Sequence, residues 1–355
     1  MLNALVKTHA PDNLPPDLGP VPNPLPRLLS GENLDADDSQ KLFERLVLGK
    51  LEPAEIAGML IALRMKGETP EEMVGAARAL IEAAEPFDRP DYLFADCCGT
   101  GGDASGLINV STATAFVAAA CGLPIAKHGN RSVSSQCGSA DVLEALGVKI
   151  VVEPAHARDL LDETGFCFLF APSFHPGMKH AALVRRQLAI RTVMNLLGPC
   201  VNPARPPVQL LGVADAAKLD HVAQVLGAIG TTRALVVHGA GLDEVAIHGE
   251  TDATLVEDGV TTALRLSPED AGIDRAPLSQ VAGGEPAENA LRLRALLDGG
   301  GKAAERDIVI LNTAALLMTA GLSADLRRGA DSAREALADG APGRVLDAYI
   351  RGSNG

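Results

Sequence analysis

Cys98-Gly99-Thr100-Gly101-Gly102-Asp103 is followed by Asn109-Val110-Ser111-Thr112 and then by Lys127-His128-Gly129-Asn130. The apolar run Tyr92–Cys97 just before it reads as a buried strand. Three glycines in four residues let backbone N–H groups crowd around an anion with no Cβ in the way. Ser111 and Thr112 stand where a helix over Thr112–Cys121 should begin. A helix start offers free N–H donors and a positive dipole end to a phosphate. Lys127, after the next short apolar run, adds a full positive charge. The order cradle, hydroxyl pair, lysine on consecutive β–α units predicts a polyphosphate site at the C-terminal ends of adjacent strands.

Outward from this stretch, short apolar runs alternate with helical patterns. Strands are expected at Tyr92–Cys97, Pro124–Lys127, Lys149–Val152, Phe166–Phe170, Val208–Val213 and Ala234–His238. Helices are expected at Thr112–Cys121, Ser139–Leu146, Ala155–Thr164, Ala217–Ile229, Ala287–Leu297 and Ile308–Ala320. Such alternation implies an α/β fold, with parallel strands and helices on both faces. Asp252–Leu266 reads as a hairpin turning at Asp258-Gly259. Upstream, three stripes at helical spacing (Leu42, Phe43, Leu46; Ile56, Met59, Leu60, Leu63; Val74, Ala77, Leu80, Ile81) mark a small all-helical unit over residues 27–86. Thr69-Pro70-Glu71-Glu72 is a capping box with Pro at the first helical position. Two helical pieces between Pro176 and Leu197 are expected to rejoin that unit, leaving residues 90–355 as the α/β domain. Residues 1–26 hold seven prolines and little periodicity, the pattern of a flexible tail.

The 355 residues are 47% hydrophobic but only 3% aromatic, with no Trp, so the core is built from Ala, Leu, Val and Ile. That suits helices on a parallel sheet. The net charge of −14 argues against a nucleic-acid binder, which needs a basic face. None of the six cysteines forms a C-x-x-C pair, which argues against zinc and for a reducing compartment. No apolar run approaches the ~18 residues of a membrane span, and the N-terminus lacks a signal-like apolar stretch. A soluble cytoplasmic protein is expected.

Each candidate side chain also has a plainer reading. Gly99–Ala104 fits a loose dinucleotide pattern, but the helix starts too late and no acid stands about twenty residues on. No G-x-x-x-x-G-K-[ST] occurs, so a P-loop is excluded. His128 reads as a proton shuttle or as a satisfied structural histidine. Asn130 bonds a substrate or forms a turn. Ser139 caps a helix, binds phosphate, or does both. Asp243-Glu244, after the strand Ala234–His238, suits Mg²⁺, which takes one or two carboxylates and completes its shell with phosphate and water; in so acidic a chain it equally suits a solvated pair. Arg185 grips a carboxylate bidentately or makes a surface ion pair.

Gly99-Thr100-Gly101-Gly102-Asp103, Asn109-Val110-Ser111-Thr112, Lys127-His128-Gly129-Asn130-Arg131 and Gly138-Ser139-Ala140-Asp141-Val142-Leu143-Glu144 resemble the anthranilate phosphoribosyltransferase family. So do His175-Pro176, Arg191-Thr192, Asn195-Leu196-Leu197-Gly198-Pro199 and Asn202-Pro203-Ala204, and the similarity runs from about Ser30 to the end. The resemblance implies a small helical domain plus a large α/β domain of the nucleoside phosphorylase/phosphoribosyltransferase type, dimeric through the helical part. It implies transfer of a phosphoribosyl group from phosphoribosyl pyrophosphate to the amine of anthranilate, in tryptophan biosynthesis. It places phosphoribosyl pyrophosphate at Gly99, Gly102, Asp103, Asn109, Ser111, Thr112, Lys127, Ser135 and Ser139, anthranilate at Gly99, His128, Asn130 and Arg185, and Mg²⁺ at Ser111, Asp243 and Glu244. Ala104 departs from a frequent glycine, Leu107 from a usual hydroxyl residue, and Met178 from an aromatic found in some members. The rival readings are a pyrimidine nucleoside phosphorylase, which shares the architecture, and a non-catalytic nucleic-acid-binding relative.

Overall fold

The computed structural model describes residues 24–132 and 136–355. Most of the expected tail, residues 1–23, lies outside the described residues. The chain becomes helical at α1 (Leu25–Leu29), followed by α2 (Ala36–Val47), α3 (Pro53–Lys66) and α4 (Pro70–Glu82). The stripes read from the sequence are the buried faces of this bundle, from Leu42, Phe43 and Leu46 to Leu80. The capping box forms: Glu72 Oε2 accepts from the Thr69 N–H at 2.9 Å, and Thr69 Oγ1 accepts from the Glu72 N–H at 3.3 Å. Glu72 is itself buried, and it also takes the Leu34 N–H and the Lys66 ammonium. One carboxylate therefore ties the start of α4 to the ends of two other segments.

The sheet has seven strands: β1 (Ala95–Gly99), β2 (Ile125–Gly129), β3 (Phe166–Phe170), β4 (Val208–Gly212), β5 (Arg233–His238), β6 (Thr251–Glu257) and β7 (Val260–Leu266). Their order is β3-β2-β1-β4-β5-β6-β7, parallel except for the last two. The expected hairpin is β6–β7, and its turn places Asp258 and Gly259 at φ 48° and 81°, the left-handed values a two-residue hairpin loop needs. Along β4 and β5 the side chains alternate between two cores. Leu210, Leu235 and Val237 face the core under α5 (Val110–Ala120) and α13 (Ala303–Thr319). Leu211, Ala234 and Val236 face α11 (Leu219–Ala228), and that core is continuous with the helical bundle. The period of two along the strands thus seats the bundle on one face of the sheet.

Several expectations shift. β1 begins at Ala95 rather than Tyr92, and β2 runs on to Gly129. The expected strand at Lys149–Val152 is absent. Val148 and Ile150 are buried in alternation, as in a strand, but the segment has no ladder partner, and the Lys149 N–H donates to Ser353 Oγ of the last helix. Its alternation comes from lying on the core between α6 (Ser139–Ala145) and α7 (Pro154–Thr164). The helix expected at Ala287–Leu297 forms as α12 (Pro286–Leu297). α13 starts five residues before the expected Ile308, and two helices not foreseen, α14 (Leu326–Ala338) and α15 (Ala341–Asn354), close the same face. Between β3 and β4 lie α8 (Ala171–Phe174), α9 (Lys179–Leu188) and α10 (Val193–Leu197); α9 packs on α2 and α3, and α10 on α3 and α4.

Candidate active site

β1 and β4 run side by side, and the chain leaves them in opposite directions across the sheet. Ligands in α/β sheets collect at such a switch point. The Thr100 N–H donates to Gly212 O at 2.9 Å, which carries the glycine loop over the end of β4. The Gly101 N–H donates to Asp243 Oδ2 at 2.6 Å. Gly101 and Gly102 have φ of 64° and 76°, so the cradle uses the left-handed freedom of glycine. Ala104 takes φ 58° without that freedom, so its departure from glycine is built in as local strain. Leu107 sits in an isolated bridge with Ala282, and packing occupies the place of the usual hydroxyl.

Ser111 lies in the first turn of α5, and its Oγ accepts from Lys127 Nζ at 3.2 Å. The buried Lys127 also donates to Cys97 O at 2.5 Å. Burial pulls its ammonium down, but Cys97, Asp96, Cys98 and Glu244 outweigh it and hold the group above its ordinary value. Thr112 is buried with its hydroxyl unpartnered. Asn109 precedes α5 but does not cap it: its amide donates to Cys137 O, and its oxygen accepts from Asn289. Ser139 is the first residue of α6 rather than its cap, because Oγ turns to Asn130 O at 3.2 Å while Asp141 takes the Gly138 and Ser132 N–H groups. Ser135 lies outside the described residues.

Asp243 and Glu244 reach this end of the sheet from the loop after β5. Burial, then the neighbouring Asp103, pushes the Asp243 carboxyl up to about 7. Burial, then Asp243, pushes Glu244 up to about 8, while Lys127 opposes the shift. Crowded acids of this kind are costly to ionise unless a cation joins them. The donors are all oxygen, which suits a hard divalent ion. Among the described residues no three His, Cys, Asp or Glu side chains close around a metal by themselves. An ion held by two carboxylates and a hydroxyl fits that openness, since substrate oxygens then complete its shell. The Ser111, Asp243 and Glu244 set fits Mg²⁺ on those grounds.

Beside the cradle opens a cavity of about 500 Å³, roofed by α9 and α10 and floored by the ends of β1 and β2. Gly99, His128, Asn130 and Arg185 all line it, together with Met178. The Arg185 guanidinium has no hydrogen bond or ion pair among the described residues, and burial lowers its pKa, so it faces the cavity as an unneutralised charge. Asn130 is held by the turn it forms: its Oδ1 accepts from the Arg131 N–H at 2.7 Å. The amide nitrogen is the end left for a ligand.

His128 is buried with Nε2 unpartnered, and His175 lies across from it, ring centroids 5.2 Å apart, with its own Nε2 unpartnered. Burial, then the neighbouring His175, holds His128 well below its ordinary value, and burial lowers His175 to about 4. Both rings are held neutral at pH 7, and each keeps an unpartnered Nε2. Arg191 covers the cradle, donating to the Gly101 and Thr100 carbonyls. The resemblance includes His175 and Arg191 in its motifs but gives neither a role. The doublets His175-Pro176 and Arg191-Thr192 were the available signals; the contacts themselves join chain segments far apart in sequence.

The histidine pair predicts an acid-side loss of stability. The unfolded chain has His175 near its ordinary 6.5, while the folded one has it at about 4. Its contribution is full above pH 6.5 and is lost as pH falls from 6.5 towards 4, because the unfolded state takes up the proton first. Between pH 6.5 and 5 this amounts to about 2 kcal/mol. Denaturant melts of His175→Asn across that range are expected to show a slope shallower by about one proton than those of the unsubstituted chain. An unchanged slope would mean that His175 is protonated in the fold.

A helical bundle set over the strand ends of an α/β sheet, with a glycine cradle and a cavity between them, is the architecture of a glycosyl transferase family. The helical bundle domain of that family matches residues 25–84, and its a/b domain matches residues 91–342. An anthranilate phosphoribosyltransferase of Sorangium cellulosum is 52% identical over 91% of this chain and 93% of its own. The crystal structure of the anthranilate phosphoribosyltransferase of Thermus thermophilus superposes with a TM-score of 0.89 at 42% identity, covering 94% of this chain and all of that one. The Saccharomyces cerevisiae enzyme, solved in complex with PRPP and Mg, gives 0.86 at 28% identity, covering 93% and 96%. The chain belongs to the anthranilate phosphoribosyltransferase family.

Proposed function

We infer that this chain transfers the phosphoribosyl group of phosphoribosyl pyrophosphate to the amine of anthranilate, giving N-(5-phosphoribosyl)anthranilate and pyrophosphate in tryptophan biosynthesis. One observation carries the reading. A single cavity joins an unpaired guanidinium, Arg185, to the glycine cradle at Gly99 and Thr100. An aromatic acid gripped at one end has its amine directed towards a sugar diphosphate at the other.

In this reading Gly99, Gly102, Asp103, Asn109, Ser111, Thr112, Lys127 and Ser139 contact the sugar diphosphate, and Ser111, Asp243 and Glu244 would hold Mg²⁺. Bound there, the ion supplies charge neutralisation to the diphosphate leaving group. Lys127 and the start of α5 stabilise the same developing charge, which accelerates reaction only so far as they are already in place. The bond from the anomeric carbon to the diphosphate oxygen breaks, and one from that carbon to the amine nitrogen forms. The neutral aromatic amine attacks without a strong base, and neutral His128 takes the proton it then releases. Positioning accounts for the remainder. Pairing of two copies through the helical bundle, where Leu29 and Met65 are exposed, and a cytoplasmic location accompany this reading. No helix among the described residues is long and apolar enough to cross a membrane.

Loss of anthranilate fluorescence on mixing protein, Mg²⁺ and both substrates tests the reaction. Turnover with a pyrimidine nucleoside and inorganic phosphate, and none with the anthranilate pair, would favour the phosphorylase instead. Arg185→Ala is expected to raise KM for anthranilate about tenfold, the worth of a charge-assisted hydrogen bond, and to leave KM for phosphoribosyl pyrophosphate within about twofold. Equal shifts in both would remove Arg185 from the carboxylate.

A further inference from the structure

The sheet is not evenly stitched. β1 pairs with β4, and β2 with β3, over five residues each, but β1 and β2 share the single pair Ala95↔Ile125. Beyond that pair the backbone groups need other partners. Side chains supply them. The Asn202 amide nitrogen donates both to Asp96 Oδ2 and to Ala126 O, each at 2.8 Å. One residue further along each strand, Lys127 Nζ donates to Cys97 O. Asn202 is locked in turn, its Oδ1 accepting from the Ala204 N–H at 2.9 Å.

We propose that Asp96 and Asn202 are positioning residues, which hold β1 and β2 apart beyond Ala95 so that Lys127 is aimed through the gap at the diphosphate cradle. Were the ladder to continue, Cys97 O would have a backbone donor and no need of the ammonium. Asp96 is fully buried, with Oδ1 unpartnered, and touches no part of the cavity. A buried carboxylate at this position is expensive unless a nearby cation offsets it. Burial raises it to about 6, and Lys127 leads the groups that oppose the rise. The same split separates Gly99 and Thr100 from His128, Gly129 and Asn130, which together floor the cavity.

The proposal rests on the reading of Lys127 as a diphosphate contact, so Lys127→Met is measured alongside. Calorimetric titration with phosphoribosyl pyrophosphate in Mg²⁺, with KM for each substrate, is carried out on the unsubstituted chain, Lys127→Met and Asp96→Asn. Asp96→Asn keeps the shape and removes the charge. It is expected to bind phosphoribosyl pyrophosphate about tenfold more weakly, with KM for anthranilate within twofold and an unchanged circular dichroism spectrum. Normal binding, or a lowered melting temperature with neither KM moved, or an equal shift in both, overturns the proposal. If Asp96→Asn does not fold, Asn202→Ser carries the same comparison, and its failure to fold or its normal binding overturns the proposal as well. Normal binding by Lys127→Met would take down the Lys127 assignment itself and the proposal with it. An inactive unsubstituted chain would take down the functional reading first.

Discussion

Replacing both Asp243 and Glu244 by alanine is expected to lower kcat/KM by at least about 10³-fold, some 4 kcal/mol of transition-state stabilisation, and to make the remaining rate indifferent to Mg²⁺ concentration. The protein should nonetheless stay folded. Both carboxyls are pushed upward by burial, Asp243 to about 7 and Glu244 to about 8. A carboxyl whose pKa is raised in the fold opposes folding wherever it ionises in the unfolded chain, that is, above about pH 4. Removing the pair relieves that opposition near neutral pH. Against it stand the lost contacts, the Gly101 N–H on Asp243 Oδ2, the Asp103–Asp243 contact and the Ser111 backbone on Glu244, each worth about 1 kcal/mol. A melting temperature equal to or above that of the unsubstituted chain, together with lost turnover, is the expected pair of results. Full activity in the variant would remove the metal assignment; a collapsed fold would show the pair to be structural.

What the sequence makes legible follows from which interactions are local. Helix faces repeat every three to four residues and strands every two, so the stripes of α2, α3 and α4 and the runs of β3 and β5 were legible. The turn at Asp258-Gly259 was legible because only certain residues accept its φ angles. Lys149–Val152 misled because a short apolar run reports only that a segment packs on a core, and a coil lying on a core produces it as well as a ladder does. α14 and α15 went unread although α14 has a well-formed cap, with Asp325 accepting from the Arg328 N–H. Gly101, Ser111 and Lys127 follow one another on successive β–α units in the sequence, and the structure brings all three to one end of the sheet. The Asn202 bridge to Asp96 spans 106 residues of chain, and no periodicity carries information over that distance. The same holds for Arg191 on Gly101 and for the His128–His175 pair.

Gly212→Ala should disable the site without replacing any residue in it. A Cβ on Gly212 would overlap the main chain of Asp243, and one on Gly99 would meet the Asp243 carboxylate. The loop carrying Asp243 and Glu244 therefore lies directly on the backbone of β1 and β4, where only hydrogen fits. Gly212 itself needs no left-handed φ, so the requirement is one of space. The strand is fixed on both sides, by the β1–β4 and β4–β5 registers, and cannot retreat. The loop must lift. Overpacking of this kind costs about 1–3 kcal/mol of stability, which a protein of this size survives. A shift of about 1 Å in the two carboxylates is expected to cost about 10²-fold in kcat/KM, most of it in KM for phosphoribosyl pyrophosphate and in the Mg²⁺ concentration needed. Gly227→Ala, in α11, is the matched control. Its Cβ would find its nearest atom at 3.4 Å, in ordinary contact, and alanine is the better helix former. That variant should keep full activity and melt no lower. If Gly212→Ala turned over at the unsubstituted rate, the loop would not be held by the strand ends, and the seat of the two carboxylates would have to lie elsewhere.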